Sequence, residues 1–147
     1  MSLYVWLQFF HLLGLGVFLF AHGVSGGASL VVRGPASTQS RQLLALSQKS
    51  GMIANPALLV VIATGVWMAF LGSFWGRGWI WTAIVVLVVV LGAMVYIARP
   101  YYIARDAAGQ SDEVLSEHLT RTKPLLAAWI GGVGVVVLIA LMVFKPF

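Results

Sequence analysis

Two histidines, His11 and His22, stand eleven residues apart in LYVWLQFFHLLGLGVFLFAHGVSGGASLVV, an otherwise almost unbroken apolar run. Imidazole titrates near neutral pH and is the commonest metal ligand. Within hydrocarbon it can hold a metal or haem iron, handle a proton, or bond to a neighbouring helix. All three roles require it to face protein, water or a bound group, because a polar ring among acyl chains is costly. At about 100° per residue the spacing returns to within roughly 20° of its start, so both rings lie on one helix face, about 16.5 Å apart along the axis.

That separation prevents one haem iron from taking both rings as axial ligands. A second ligand must come from elsewhere. Depth matching along two spans puts Met68 near the level of His11, and Asn55 and Tyr96 near that of His22. Histidine with methionine is an established cytochrome pair. A homodimer with its twofold axis along the membrane normal would instead bring each histidine level with its symmetry mate. Gly14 and Gly23 lie close to the histidines, and Gly23 with Gly27 forms a GxxxG that admits a second backbone or a flat ligand. The same glycines serve ordinary helix packing, and a histidine can serve as a simple interhelical tie. Proton handling needs a second titratable group, and the spans contain no Asp, Glu or Lys.

The elements that position these residues follow from composition. Of 147 residues, 61% are hydrophobic and 9% charged, against about a quarter charged in a soluble domain. Mean hydropathy is +0.97. Such a chain is expected to be an integral membrane protein. Four segments, about 3–32, 56–72, 79–98 and 124–144, approach or exceed the roughly 20 residues needed to cross hydrocarbon. They predict an all-α, four-transmembrane-helix bundle forming a single domain over 1–147. With no cysteine, disulfides and thiolate metal sites are excluded. The first span has neither a basic leader nor a small-residue cleavage site, and is read as a retained helix.

The connections carry the polar residues. Arg33, Gly34 and Pro35 stop the first span. From Thr38 to Lys49 the pattern suits a short interfacial helix capped by Ser37 or Thr38. Span two would then begin at Pro56, where a missing amide is tolerated, with Asn55 as its cap. Phe74, Trp75, Trp79 and Trp81 mark an aromatic belt around a tight turn. Span three reads as lipid-facing wall. Pro100 opens the longest polar stretch, holding all four acids, within which Ser111 to Thr122 predicts a helix with a Glu117–Arg121 pair. His118 there is expected to be solvated. Gly131, Gly132 and Gly134 offer span four a smooth contact face.

The net charge of +5 belongs beside the spans and implies anionic lipid headgroups, with no nucleic-acid partner. Seven of the nine basic residues follow spans one and three: Arg33, Arg41, Lys49, Arg99, Arg105, Arg121 and Lys123. The positive-inside rule therefore places both termini outside. His11 then lies toward the outer leaflet and His22 toward the inner.

The run WLQFFHLLGLGVFLFAHG, followed by an interfacial segment and PALLVVIATGVW, resembles the small four-helix proteins grouped around CopD-like copper-resistance membrane proteins and HemJ-type protoporphyrinogen oxidases. The similarity covers the four-span layout, and its specific part is the first span and the start of the second. It implies that the histidine matching His11 is associated with b-type haem in the HemJ branch and with copper handling in the CopD branch. The lysine expected within HemJ-type helices has no counterpart in these spans, and Met52, Met68, Met94 and Met142 are not clustered as copper handling would want.

These readings predict a multi-pass protein of a prokaryotic inner membrane, a homodimer or a subunit of a larger complex. Haem b bound through His11 or His22 would give it a redox or electron-transfer role. Two rivals stand beside this: a non-catalytic membrane scaffold or accessory subunit, and a copper- or metal-handling membrane protein or channel.

Overall fold

The computed structural model describes residues 2–32 and 35–146. Leu3–Val31 is uninterrupted helix, α1. Its glycines are tolerated because a spanning helix in hydrocarbon must satisfy every backbone group internally. The chain then bends at Pro35. Arg33 and Gly34, read above as part of the stop, lie outside the described residues.

The second helix departs from expectation. Thr38–Leu71 is one continuous 34-residue helix, α2, with Pro56 inside it. The predicted interfacial helix and span two are therefore a single element, and Asn55 is not a cap. Ser37 caps α2 as expected: its hydroxyl accepts from the Ser40 amide at 3.1 Å while the Ser37 amide donates to Ser40 Oγ at 2.8 Å. Pro56 removes one amide donor without ending the helix, and both Asn55 and Pro56 are exposed. At about 1.5 Å per residue, α2 is some 51 Å long, well beyond a hydrocarbon core of about 30 Å. That excess leaves room for its polar N-terminal part to lie outside the hydrocarbon.

Gly72 and a 3-10 turn at Phe74–Gly76 reverse the chain. A side chain at Gly72 would begin 2.5 Å from the Phe74 ring, so a larger residue there requires the Phe74 ring to move. Ser73 takes the left-handed conformation at φ 53°, a strained position for a side-chain-bearing residue. Helix α3, Gly78–Asp106, runs through Pro100. Span three therefore continues past the expected start of the polar loop. A 3-10 turn at Ala107–Gly109 leads to α4, Asp112–Thr120, and Pro124 opens α5, Pro124–Phe144. The predicted pair forms, Arg121 Nη2 donating to Glu117 Oε1 at 2.7 Å.

Four of these helices are long and apolar enough to cross a membrane, and the described residues contain no strand. The arrangement is two antiparallel pairs, α1 on α2 and α3 on α5, with lighter contact between pairs. Gly134 sets the second: a Cβ there would lie 2.6 Å from Val90, and one at Gly131 would touch Met94 Sδ at 3.5 Å. The predicted contact face of span four is thus used by Gly131 and Gly134, while Gly132 faces open space. Span three is consequently more than lipid-facing wall. The outer faces are apolar and exposed, with Phe20 at 77% and Phe144 at 76%, as lipid-facing surfaces must be.

The best-buried cluster lies away from the middle of the spans. Val32, Leu44, Tyr101, Ala104, Leu115 and Leu119 pack together where the N-terminal part of α2, the C-terminal part of α3 and α4 meet. Arg41 closes this end, donating to the Ala108 carbonyl, to the Gln110 carbonyl at 2.8 Å and to Asp112 Oδ1 at 2.7 Å. A smaller cluster of Ala69, Trp79 and Ile80 closes the opposite end around the aromatic turn.

Candidate functional site

His11 sits on the α1 face that meets α2. Its Nδ1 lies 2.9 Å from the Val61 carbonyl and 3.1 Å from Thr64 Oγ1. A carbonyl only accepts, so Nδ1 must carry the proton and donate. Thr64 spends its own proton on backbone carbonyls, at 2.6 Å from Val60 O and 3.2 Å from Val61 O. It therefore meets Nδ1 with a lone pair. The tautomer is fixed, and Nε2 is left with its lone pair free. A backbone carbonyl orienting one ring nitrogen while the other stays available is the usual arrangement behind a metal-ligating histidine.

Gly65 makes room for the ring. A Cβ at that position would lie 3.2 Å from His11 Cε1 and 3.5 Å from Nδ1. Any larger side chain would push the imidazole off the Val61 carbonyl. Thr64 and Gly65 are not among the residues that the sequence singles out. One signal was present: with an antiparallel α1–α2 hairpin, a hydroxyl and a missing side chain adjacent in sequence mark a place where a polar ring fits.

The other site residues are arranged differently. Gly14 is buried, and a Cβ there would meet Val61 at 3.2 Å and Val60 and the Ala57 carbonyl at 3.3 Å. Its space is filled by α2 and is not room for a porphyrin. Gly23 has nothing within 4 Å of an added Cβ, nor has Gly27, so the GxxxG faces outward. His22 is half-buried and stacks on Phe18, ring centroids 5.2 Å apart at 19°. No hydrogen bond ties it to a described residue. Met68 lies four residues beyond Thr64, about 6 Å along α2, so it is one turn past the level that holds His11. Tyr96 is 81% exposed and Asn55 is exposed; neither is positioned as a partner of His22 by any described hydrogen bond. His118 is half-buried on α4, and no group of three or more metal-ligating His, Cys, Asp or Glu occurs among the described residues.

Two grooves mark the apolar surface. The first, of about 400 Å³, runs along α1 from Leu12 and Gly16 to Val24 and is bordered by Ser50 and Ile53 of α2. The second lies between Val86 and Val90 of α3 and Trp129 to Val137 of α5. Neither is lined by a histidine.

For haem, the donor chemistry fits at one atom, His11 Nε2, which would be the nitrogen that holds the iron. Within one chain the room for the macrocycle would have to come from the outer face of the α1–α2 pair, since α2 fills the space beside Gly14. The chain matches no protein-family model, and comparison with curated proteins and with solved structures finds none similar to it.

Proposed function

We propose that this protein binds b-type haem in the membrane and carries electrons, with His11 Nε2 as one of the atoms that would hold the iron. The observation that supports this most is the hydrogen bond from Nδ1 to the Val61 carbonyl, which holds the ring in the tautomer and orientation a ligand needs. Met68, a turn from Thr64 on α2, is the candidate second ligand from the same chain. The alternative second ligand comes from another copy of the chain across the outward glycines of α1. The bound group would supply the redox chemistry; the chain supplies ligand, orientation and a low-dielectric surround. Insertion in a prokaryotic inner membrane, with both termini outside, completes this reading.

The test is a reduced-minus-oxidised difference spectrum of protein purified after expression with ample haem. A b-type band that disappears in His11→Ala and survives in His118→Ala supports the proposal. Colourless protein, or a band unaffected at His11, rejects it. Met68→Leu separates the two sources of the second ligand: it changes the spectrum only if Met68 binds iron.

A second reading has its own observation. The bonds of His11 to Val61 and Thr64 also tie α1 to α2, and neither groove is lined by an imidazole. On that reading the protein is a non-catalytic scaffold or accessory subunit. It then stays colourless, and His11→Ala lowers only its thermal stability.

A further inference from the structure

At the end of the bundle closed by Arg41, a second set of polar groups is used by nothing described above. Ser25 of α1 and Ser47 of α2 share a hydrogen bond of 2.6 Å, and Ser47 is fully buried. Tyr101 of α3 is 7% exposed, and its hydroxyl lies beside Ser47 without a hydrogen bond of normal geometry. One turn further along α3, the Arg105 guanidinium rests over the Tyr102 ring, 5.0 Å from its centroid. It also lies against α2 at Gly51, where a Cβ would stand 3.4 Å from Nη1. Arg105 Nε is buried and has no partner.

Arg105 differs from Arg41 at this end. Arg41 spends its donors on two carbonyls and a carboxylate. No hydrogen bond or ion pair connects Arg105 to any described residue, and its buried Nε–H has no acceptor among them. The described acids do not serve it: Asp112 pairs with Arg41, Glu117 with Arg121, and Asp106 and Glu113 are exposed. Asp106 is its neighbour in sequence and so points away on the helix. A half-buried guanidinium without a counter-charge is costly unless an anion completes it. Both orphaned groups, Arg105 Nε–H and Tyr101 O–H, are able to donate. What they lack is an acceptor.

We propose that Arg105, seated against Gly51, and Tyr101, backed by Ser47, form a binding site for a phosphate group at the membrane edge. Arginine suits phosphate because its planar fork donates two parallel hydrogen bonds. The site lies where the apolar run of α3 gives way to Arg99 and Arg105 and where α2 leaves the hydrocarbon, at headgroup depth. Basic recesses between spanning helices at this depth take phospholipid headgroups. The phosphate is carried either by an anionic lipid or free in solution, and the chemistry of recognition is the same.

The full chain in nanodiscs distinguishes these sources. Native mass spectrometry on protein released from phosphatidylcholine discs containing phosphatidylglycerol is expected to show phosphatidylglycerol retained in preference to phosphatidylcholine. Arg105→Gln should weaken that retention about tenfold or more, and Tyr101→Phe about three- to tenfold, as loss of charge-assisted and single hydrogen bonds implies. Arg99→Gln, at an exposed arginine of the same helix, should leave it unchanged. If inorganic phosphate instead raises the melting temperature in pure phosphatidylcholine discs, and does so only with Arg105 and Tyr101 intact, the site takes free phosphate. Equal retention in wild type, Arg105→Gln and Tyr101→Phe, with no stabilisation by phosphate, overturns the proposal. So does a loss in Arg99→Gln as large as in Arg105→Gln, which would mark diffuse attraction. Tyr101→Phe removes a single oxygen, so it keeps the test decisive if Arg105→Gln does not fold.

Discussion

The His11 environment shows how one carbonyl decides what an imidazole can do. Because Val61 O can only accept, the proton is placed on Nδ1 and the free lone pair on Nε2. Gly65 maintains that geometry, and Gly65→Val is expected to displace the ring, lower stability by about 1–3 kcal/mol as overpacking does, and abolish any His11-dependent haem band. Thr64→Val should cost about 1 kcal/mol and leave the Val61 bond intact, so the band survives. The glycines give an internal control measured by thermal melts. Gly134→Ala places a methyl 2.6 Å from Val90 and should destabilise by about 1–3 kcal/mol, whereas Gly23→Ala meets nothing within 4 Å and should be close to neutral in the isolated chain. If Gly23→Ala lowers stability as much as Gly134→Ala, Gly23 faces a second copy and the outward GxxxG is an interface.

Among the elements, α2 and α3 differ most from a reading of the sequence, and for one reason. Proline and the appearance of charges predict helix ends, yet both helices pass through Pro56 and Pro100. The preference of a proline for a helix start is local, and it is outweighed here by tertiary packing of Leu44, Tyr101, Ala104 and Leu115, which extends both helices past the hydrocarbon. Hydropathy marks where a helix leaves the membrane and is silent on where it stops. The Ser37 cap and the Glu117–Arg121 pair were legible because their partners are three and four residues away. The Arg41 clasp was not, since it joins residues 41 and 112. Arg41→Gln should therefore loosen α4 from α2, costing about 1–3 kcal/mol. Faster hydrogen exchange confined to residues 107–120 would report this; unchanged exchange there would show that the clasp does not hold α4.

For the whole molecule, composition alone made the spanning helices legible, because apolar length is a property of single segments. Which helices pair was not legible, and neither was the polar Ser25–Ser47–Tyr101–Arg105 line, since each requires knowing the neighbours across helices. Orientation is open to a simple test because the chain has no cysteine. The positive-inside reading predicts that a cysteine introduced at Gly109 is labelled by an impermeant maleimide only after the membrane is opened, and one at Gly76 without opening it; the reverse pattern inverts the topology. The central claim remains the availability of His11 Nε2 to a haem iron. Nitrogen NMR of the full chain with labelled histidines, before and after adding ferric haem, tests it most directly. Expected before haem is an Nδ1-protonated His11 with a bare Nε2, and after it a His11 that alone among the three histidines loses its signals to the paramagnetic iron. An Nε2-protonated ring, or a His11 spectrum unchanged by haem, would contradict it.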